Sequence, residues 1–507
     1  MHDDVRRHPQ LYEINVWPWL DAVSRREGRA LTLGAVPERE WDRLAERGID
    51  LVYLMGLWRR SAIGRQIARS EPQLFAAYDE AVPGWRARDV VGSAYSISGH
   101  QPDPRIGTWN DLAAVREKLR ARGMRLIVDF IPNHTGFDHP WVGEFSGRYV
   151  QGDDAAFRRH PLAFRAIERS TGEVVLIACG RDPFFPPWTD VAQLDYFNDE
   201  TRAAMIDELK MLATHADGAR CDMAMLALTE VFGSTWERFV SGPAPATEFW
   251  ADARAAVPGF VLIAEVYWDL EWRLQRLGFD FTYDKRLYDR MLHGPAGDVR
   301  DHLRADADFQ RHSARFIENH DEMRSATAFG ERLRAAAVVM GTLPGLRFFH
   351  DGQFDGCRAR VPVQLGVLPN EPVDADLREF YQRLLSIADE PVFHDGEWRL
   401  SEISACDHTS SSLVAWHWSL GDEERIVVVN LGHGVAHGHV RVAGGGSPTD
   451  TIVFEDLLDG RLYPWPRAEV HSRGLYVRLD TGGAHVFRVA DDRSALRKAG
   501  GRANSVP

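Results

Sequence analysis

"RFIENHDEMRS" (residues 315–325) poses the fold question. Two apolar residues, Phe316 and Ile317, give way at once to Glu318, Asn319, His320, Asp321 and Glu322. A buried strand opening onto a polar site has this form, and so does a strand running into a charged surface turn. The choice depends on whether other strands end in the same way.

Seven further apolar runs precede or follow this one. They are "LYEINV" (11–16), "DLVYLM" (50–55), "RLIVDFI" (125–131), "GARCDMA" (218–224), "FVLIAEVY" (260–267), "FDFTYD" (279–284) and "GLRFFHDG" (345–352). Helical patterns lie between them. In "TWNDLAAVREKLRARG" (108–123), Trp109, Leu112, Val115 and Leu119 recur at helical spacing and Gly123 is the stop; "NDETRAAMIDELKMLATH" (198–215) behaves alike. Nearly continuous apolar strands alternating with helices predict a parallel sheet covered by helices. Eight of them predict an α/β fold of the closed (β/α)8 TIM-barrel type. No GxGxxG follows an early strand, which argues against a dinucleotide-binding sheet.

Two stretches interrupt the alternation. Residues 57–107 form a long connection after the second strand. Residues 135–192 are too long for a plain loop and predict a small subdomain over the barrel mouth. The barrel is thus expected from 1–134 and 193–390. Alternating segments such as "SLVAWHWSL" (412–420), "RIVVVNL" (425–431) and "GLYVRL" (474–479), with the turn "AGGGS", predict a C-terminal antiparallel β-sandwich over 391–490. A disordered tail is expected over 491–507.

The bulk properties bound the function. With 507 residues, 44% hydrophobic, the chain can bury a large core, and a net charge of −14 argues against nucleic-acid binding. Four scattered cysteines (Cys179, Cys221, Cys357 and Cys406) suggest neither a zinc site nor a disulfide framework. The N-terminal stretch has no apolar signal region and no run nears about 18 apolar residues, so a cytoplasmic location with no membrane partner is expected. Sixteen tryptophans are conspicuous; most are expected in the core, and exposed ones would suit the flat faces of sugar rings.

The polar residues gather at the C-terminal ends of the strands: Asp129 and His134 after the third, Arg220 and Asp222 on the fourth, Glu265 on the fifth, His320 and Asp321 on the seventh. In a TIM barrel those ends share one mouth, which holds the active site. A lone Asp at a strand end is more often a turn or helix cap, and Arg220 with Asp222 is open to reading as a structural ion pair. Their joint placement favours a site. Convergent carboxylates suit a glycosidase, in which one attacks the anomeric carbon and another protonates the leaving oxygen. Arg220 and Asp222 point to the same face of a strand, so the cation would keep Asp222 ionised as a nucleophile. Glu265, beside Ile263 and Val266, would hold a raised pKa as the acid.

"DFIPNHTG" (129–136), "GARCDMA" (218–224), "LIAEVY" (262–267) and "FIENHDE" (316–322) resemble the four ordered signatures of the α-amylase family, glycoside hydrolase family thirteen, and "QLDYFN" (193–198) resembles a fifth. The resemblance implies Asp222 as nucleophile, Glu265 as general acid/base and Asp321 as a third carboxylate that grips sugar hydroxyls. It implies substrate contacts from His134, His320 and Tyr95, with Arg220 orienting Asp222 and Asp129 structural. Tyr95 is offset by about one position from the usual spacing to Gly107. After Asp222, amylases carry a Lys–His pair linked to calcium. Here Met225 and Leu226 stand instead, so no required metal or other cofactor is expected, and Asn133 is read as structural. Trp58 and Arg59 would either wall the pocket or belong to an insertion packed outside the barrel. "FFPPWTD" (184–190) would shape the acceptor side or form the subdomain's core.

These residues imply a retaining α-glycosidase or transglycosidase acting on small α-linked glucosides or oligosaccharides through a covalent intermediate. A phosphorylase or sugar isomerase of the same fold, and a non-catalytic sugar-binding protein, are the alternatives. The acceptor, the sugar, the linkage and the oligomeric state are left open.

Overall fold

The computed structural model describes residues 6–169, 171–442 and 450–491. All eight expected runs become parallel strands of one closed barrel: β1 (Gln10–Asn15), β2 (Leu51–Met55), β3 (Arg125–Phe130), β4 (Gly218–Cys221), β5 (Val261–Ala264), β6 (Phe281–Tyr283), β7 (Ser313–Arg315) and β8 (Leu346–His350). β1 closes on β8 through Gln10 opposite Arg347 and on β2 through Leu11 opposite Leu51. The register sets the depth of the site. Arg220 on β4 lies opposite Asp129 on β3 and Ile263 on β5. The pairing continues one residue further as Asp222 N–H donates to Phe130 O at 2.9 Å and Glu265 N–H to Cys221 O at 3.0 Å. Asp222 and Glu265 therefore emerge from adjacent strands at nearly one level.

The stretch at 315–325 differs from the expected strand, because β7 stops at Arg315 although Phe316 and Ile317 are still buried. Side chains take the backbone off the ladder. Asn319 Oδ1 accepts from the N–H groups of Asp321 and Glu322, and Glu318 Oε2 accepts from Ser325 N–H at 2.7 Å. Short polar side chains that bond nearby backbone compete with strand pairing. The result is a compact turn that lifts His320 and Asp321 over the mouth.

The helices follow their local signals. Thr108 caps Trp109–Arg120 with a reciprocal box through Asp111, and Gly123 after it sits at φ +75°. Between β3 and β4, five short strands build an antiparallel sheet that starts at His134–Gly136 and ends at Trp188–Gln193. In the connection after β2, helices Ala62–Ser70 and Pro72–Ala81 pack Ala68 and Tyr78 against Val90 and Leu365. Trp58 is fully buried, with its indole N–H donating to Asp129 O at 2.7 Å. It belongs to the core rather than to a pocket wall.

Beyond the barrel, a six-stranded and a three-stranded antiparallel sheet face each other. Leu413, Ile426 and Val428 of the first pack on Val440, Leu475 and Val477 of the second. The tail from 492 and the turn at 443–447 lie outside the described residues. The other face of the larger sheet joins the barrel core through Trp416, Trp418, Val427 and Val429. Trp418 is the pin: its indole N–H donates to Thr342 O at 2.7 Å and its ring meets His8 and Phe393. Trp41, Trp58, Trp250, Trp416 and Trp418 are all fully buried, so tryptophan serves mainly as core here.

Trp418→Ala leaves a large hole at this junction and an unpaired carbonyl. It is expected to lower stability by about 3–5 kcal/mol, read as a drop in the thermal unfolding midpoint by circular dichroism. An unchanged midpoint would show that the junction does not hold the two parts together.

Candidate active site

The site is built around Arg220. Its side chain is 1% exposed and meets two carboxylates: Nη1 donates to Asp222 Oδ1 at 2.6 Å, and Nη2 lies 2.8 Å from Glu265 Oε2. The second contact is poorly angled for a hydrogen bond and is an ion pair. Tyr95 and Tyr283 face the guanidinium from 5.2 and 5.7 Å. Two aromatic faces and two carboxylates replace the water this cation gave up.

Glu265 is fixed on both oxygens. Oε2 also accepts from Met223 N–H at 2.7 Å, and Oε1 accepts from Tyr267 O–H at 2.8 Å. Met223 aims its N–H from φ +42°, a left-handed conformation unusual for a side chain of its size. Burial drives the Glu265 pKa up to about 7; Arg220 opposes this, and Asp222 and Asp321 add to it. Burial also raises Asp222, against the pull of Arg220. Of this coupled pair, Asp222 holds the hydrogen-bonded guanidinium and is the stronger acid.

The third carboxylate comes with a histidine. His320 Nδ1 lies 2.5 Å from Glu13 Oε1, and Nε2 lies 3.0 Å from Asp321 Oδ2 and 2.6 Å from the Tyr95 hydroxyl. Burial disfavours the imidazolium, but Asp321 and Glu13 outweigh it and hold the His320 pKa well above its ordinary value. Burial likewise works against ionised Asp321, yet His320 and Arg220 keep it low. Asp321 is the open member, with its side chain 45% exposed at the rim.

His134 is buried, edge-on to Trp188 and bonded to the Tyr95 backbone; burial lowers its pKa to about 4, so it is neutral. The structure thus brings Asp222, Glu265, Asp321, Arg220, His320, His134 and Tyr95 into one cluster, Tyr95 included despite its offset in sequence. Asp129 lies beneath, bonded to the Tyr53 hydroxyl and to Gly56 N–H.

Three participants escaped the sequence reading. Glu13 carries the support of His320, and its only signal was a lone charge inside the apolar run of β1. Tyr267 and Met223 act on Glu265 through a hydroxyl and a backbone N–H. The first sits two residues beyond Glu265, and the second leaves no mark in residue type.

A calcium ion of the kind the resemblance brings to mind does not fit the residues present. Met225 and Leu226 are buried apolar groups, and the Asn133 amide is exchanged with Gln193. In the stretch 184–190, Phe184 and Phe185 are exposed rather than forming the subdomain core, and Phe184 stands edge-on to Trp268 at 5.0 Å.

A carboxylate-lined mouth on a closed parallel barrel defines the class. Within it, a profile described as "Alpha amylase, catalytic domain" matches residues 92–170. The α-amylase MalA of Haloarcula japonica is 25% identical over 342 residues, which take in 64% of this chain and 46% of that protein. The trehalose synthase/amylase TreS of Mycobacterium tuberculosis is 29% identical over 180 residues, 32% of this chain and 28% of that one. The chain spans about half the length of the first curated relatives it matches. Among solved structures, the noncanonic maltogenic α-amylase AmyB of Thermotoga neapolitana superposes with a TM-score of 0.64 over 95% of this chain and 98% of that one, at 19% identity. By sequence the likeness to the α-amylase catalytic domain is carried by residues 92–170, and by fold the whole barrel resembles that of α-amylases.

Glu13→Gln removes one of the two anions that hold the His320 imidazolium. The His320 pKa is expected to fall, as read by NMR titration of its ring. A raised histidine pKa contributes stability that is complete below the unfolded value of about 6.5 and is lost as pH rises through the folded value. The variant's deficit in stability should therefore be greatest below about pH 6.5 and shrink as pH rises through the parent's folded value. An unmoved ring titration would show that Glu13 does not set the charge of His320.

Proposed function

We propose that the protein is a retaining α-glycosidase or transglycosidase acting on small α-linked glucosides or oligosaccharides. The observation that carries this reading is the single guanidinium of Arg220 touching both Asp222 and Glu265. Two carboxyls gripped by one fork suit the close spacing of retaining enzymes, about 5–5.5 Å, which leaves no room for a water between carboxyl and sugar.

The roles follow from the environments. Asp222 has Oδ1 tied to Arg220, so Oδ2 is the oxygen that attacks the anomeric carbon. Glu265, titrating near neutrality, keeps the proton that the leaving oxygen needs and takes one back from the acceptor. Asp321, ionised and open at the rim, accepts hydrogen bonds from sugar hydroxyls. His320, held protonated, and neutral His134 offer further polar contacts, and the Tyr95 ring offers a flat apolar face. A glycosyl–Asp222 ester would form with loss of the leaving sugar, and an acceptor hydroxyl would then release it with the α-configuration restored. Water, a second sugar or phosphate would each serve as the acceptor. The curated names maltase, oligo-1,6-glucosidase and trehalose synthase among the relatives support a small substrate.

Incubation with a panel of α-linked disaccharides and maltooligosaccharides, with and without phosphate, tests this by NMR of the anomeric protons. First-formed products should be α, and Asp222→Asn should lose at least about a thousandfold in kcat. β-Configured first products, or full activity in the variant, would sink the reading. The rate should also follow pH in a set direction: kcat/KM is expected to fall as pH rises through about 7 and Glu265 loses its proton, and to fall again in acid as Asp222 gains one. A rate still rising above pH 8 would contradict the assignment of Glu265 as the acid.

A further inference from the structure

We propose that the acid proton of Glu265 resides on Oε1 and that the Tyr267 hydroxyl stabilises that oxygen when the proton leaves. The inference rests on the reading of Glu265 as the acid and assigns an atom and a positioning residue to it.

The two oxygens of Glu265 are not equivalent. Oε2 already faces two donors, Met223 N–H at 2.7 Å and Arg220 Nη2 at 2.8 Å. A hydrogen on Oε2 would point at other hydrogens and give up the ion pair with Arg220. Oε1 has one hydrogen-bond partner among the described residues, the Tyr267 hydroxyl at 2.8 Å, and so retains a lone-pair direction for the proton. The difference is maintained by the backbone: Met223 is held at φ +42°, which keeps its N–H on Oε2. Tyr267 does not supply the proton itself. Burial and the neighbouring Glu265 hold the phenol well above its ordinary pKa, so it stays a neutral donor.

The chemistry then has a direction. The Oε1–H bond breaks and its proton forms the O–H of the departing sugar. The electron pair of the glycosidic C–O bond leaves with that oxygen, Asp222 Oδ2 bonds the anomeric carbon, and Oε1 becomes a carboxylate oxygen. In the ground state the phenol donates to a neutral carboxyl. In the transition state it donates to a developing anion, and such charge-assisted bonds are roughly twice as strong. A contact that strengthens along the reaction accelerates it.

Tyr267→Phe tests this through kcat/KM against pH, with an α-linked disaccharide and with the corresponding α-glycosyl fluoride, whose leaving group needs little protonation. Loss of a donor to the carboxylate favours the acid form, so the high-pH limb should move up by about one unit. Disaccharide turnover should fall about tenfold, with a smaller loss on the fluoride. 3-Fluorotyrosine placed at position 267 keeps the shape, strengthens the donor and should move the limb down. It serves equally if the Phe variant does not fold. Equal losses on both substrates with an unmoved limb would overturn the inference and leave Tyr267 a packing residue. Glu265→Gln run alongside separates the two levels. If it still turns over the disaccharide, the acid role itself fails; if it does not and the limb is unmoved in both Tyr267 variants, only the present inference fails.

Discussion

A buried guanidinium organises this protein. Arg220 is nearly sealed from water, and moving such a cation out of solvent costs several kcal/mol unless anions and dipoles replace the hydration. Here the replacement is over-complete. Five carboxyls, those of Glu13, Asp129, Asp222, Glu265 and Asp321, lie buried in or lining the mouth against two cations, Arg220 and His320. In a medium of low dielectric such an excess of negative charge cannot all stay ionised. Burial carries the Glu265 pKa up to about 7, so Glu265 is placed to hold a proton near neutrality. The acid of the proposed reaction thus owes its proton first to burial, with the neighbouring anions Asp222 and Asp321 adding to it against Arg220.

The same imbalance suits the reaction in a second way. Glycosyl transfer passes through a transition state with positive charge on the sugar ring. A pocket that holds more carboxyls than cations is preorganised for that charge before substrate arrives, so little reorganisation is needed at the moment of reaction. The second ion cluster, Glu13 with His320 and Asp321, works as a buttress. Glu13 lies at the floor on β1, His320 transmits its charge upward, and Asp321 presents a fixed anion at the opening.

Much of this was legible in the residues, and the reasons are physical. Strands buried on both faces must be apolar along their length, so the eight runs stood out, and their order gave the barrel. Polar residues at the ends of such strands are costly unless they share a site, which is why Asp222, Glu265 and Asp321 were visible together. What was hidden depended on the third dimension. The partner of His320 is Glu13, about three hundred positions away and joined to it only when β1 closes the barrel against β8. The early end of β7 was hidden too, because Phe316 and Ile317 remain buried and apolar while Glu318 and Asn319 draw the backbone into a turn. Hydrophobicity reports burial, and it does not report which backbone groups find partners in a sheet.

The departure after Asp222 bears on how the active carboxyls are held. After Asp222 this chain buries Met225 and Leu226, and Trp250 N–H bonds Ala224 O to anchor the turn. That apolar anchor lets Met223 keep its left-handed backbone, since a strained residue persists only when its surroundings over-determine it. Trp268 and Asp269 show the same pattern beyond Glu265, at φ +65° and +61°, with Asp269 tied to Arg286 and Trp268 packed against exposed Phe184. Strain therefore flanks both central carboxyls, immediately after Asp222 and three residues after Glu265. Trp250 anchors the first turn through Ala224 O, and Arg286 and Phe184 hold Asp269 and Trp268 at the second. Stability invested in those buried anchors is what fixes Asp222 and Glu265, the proposed nucleophile and acid, on neighbouring strands and at one depth.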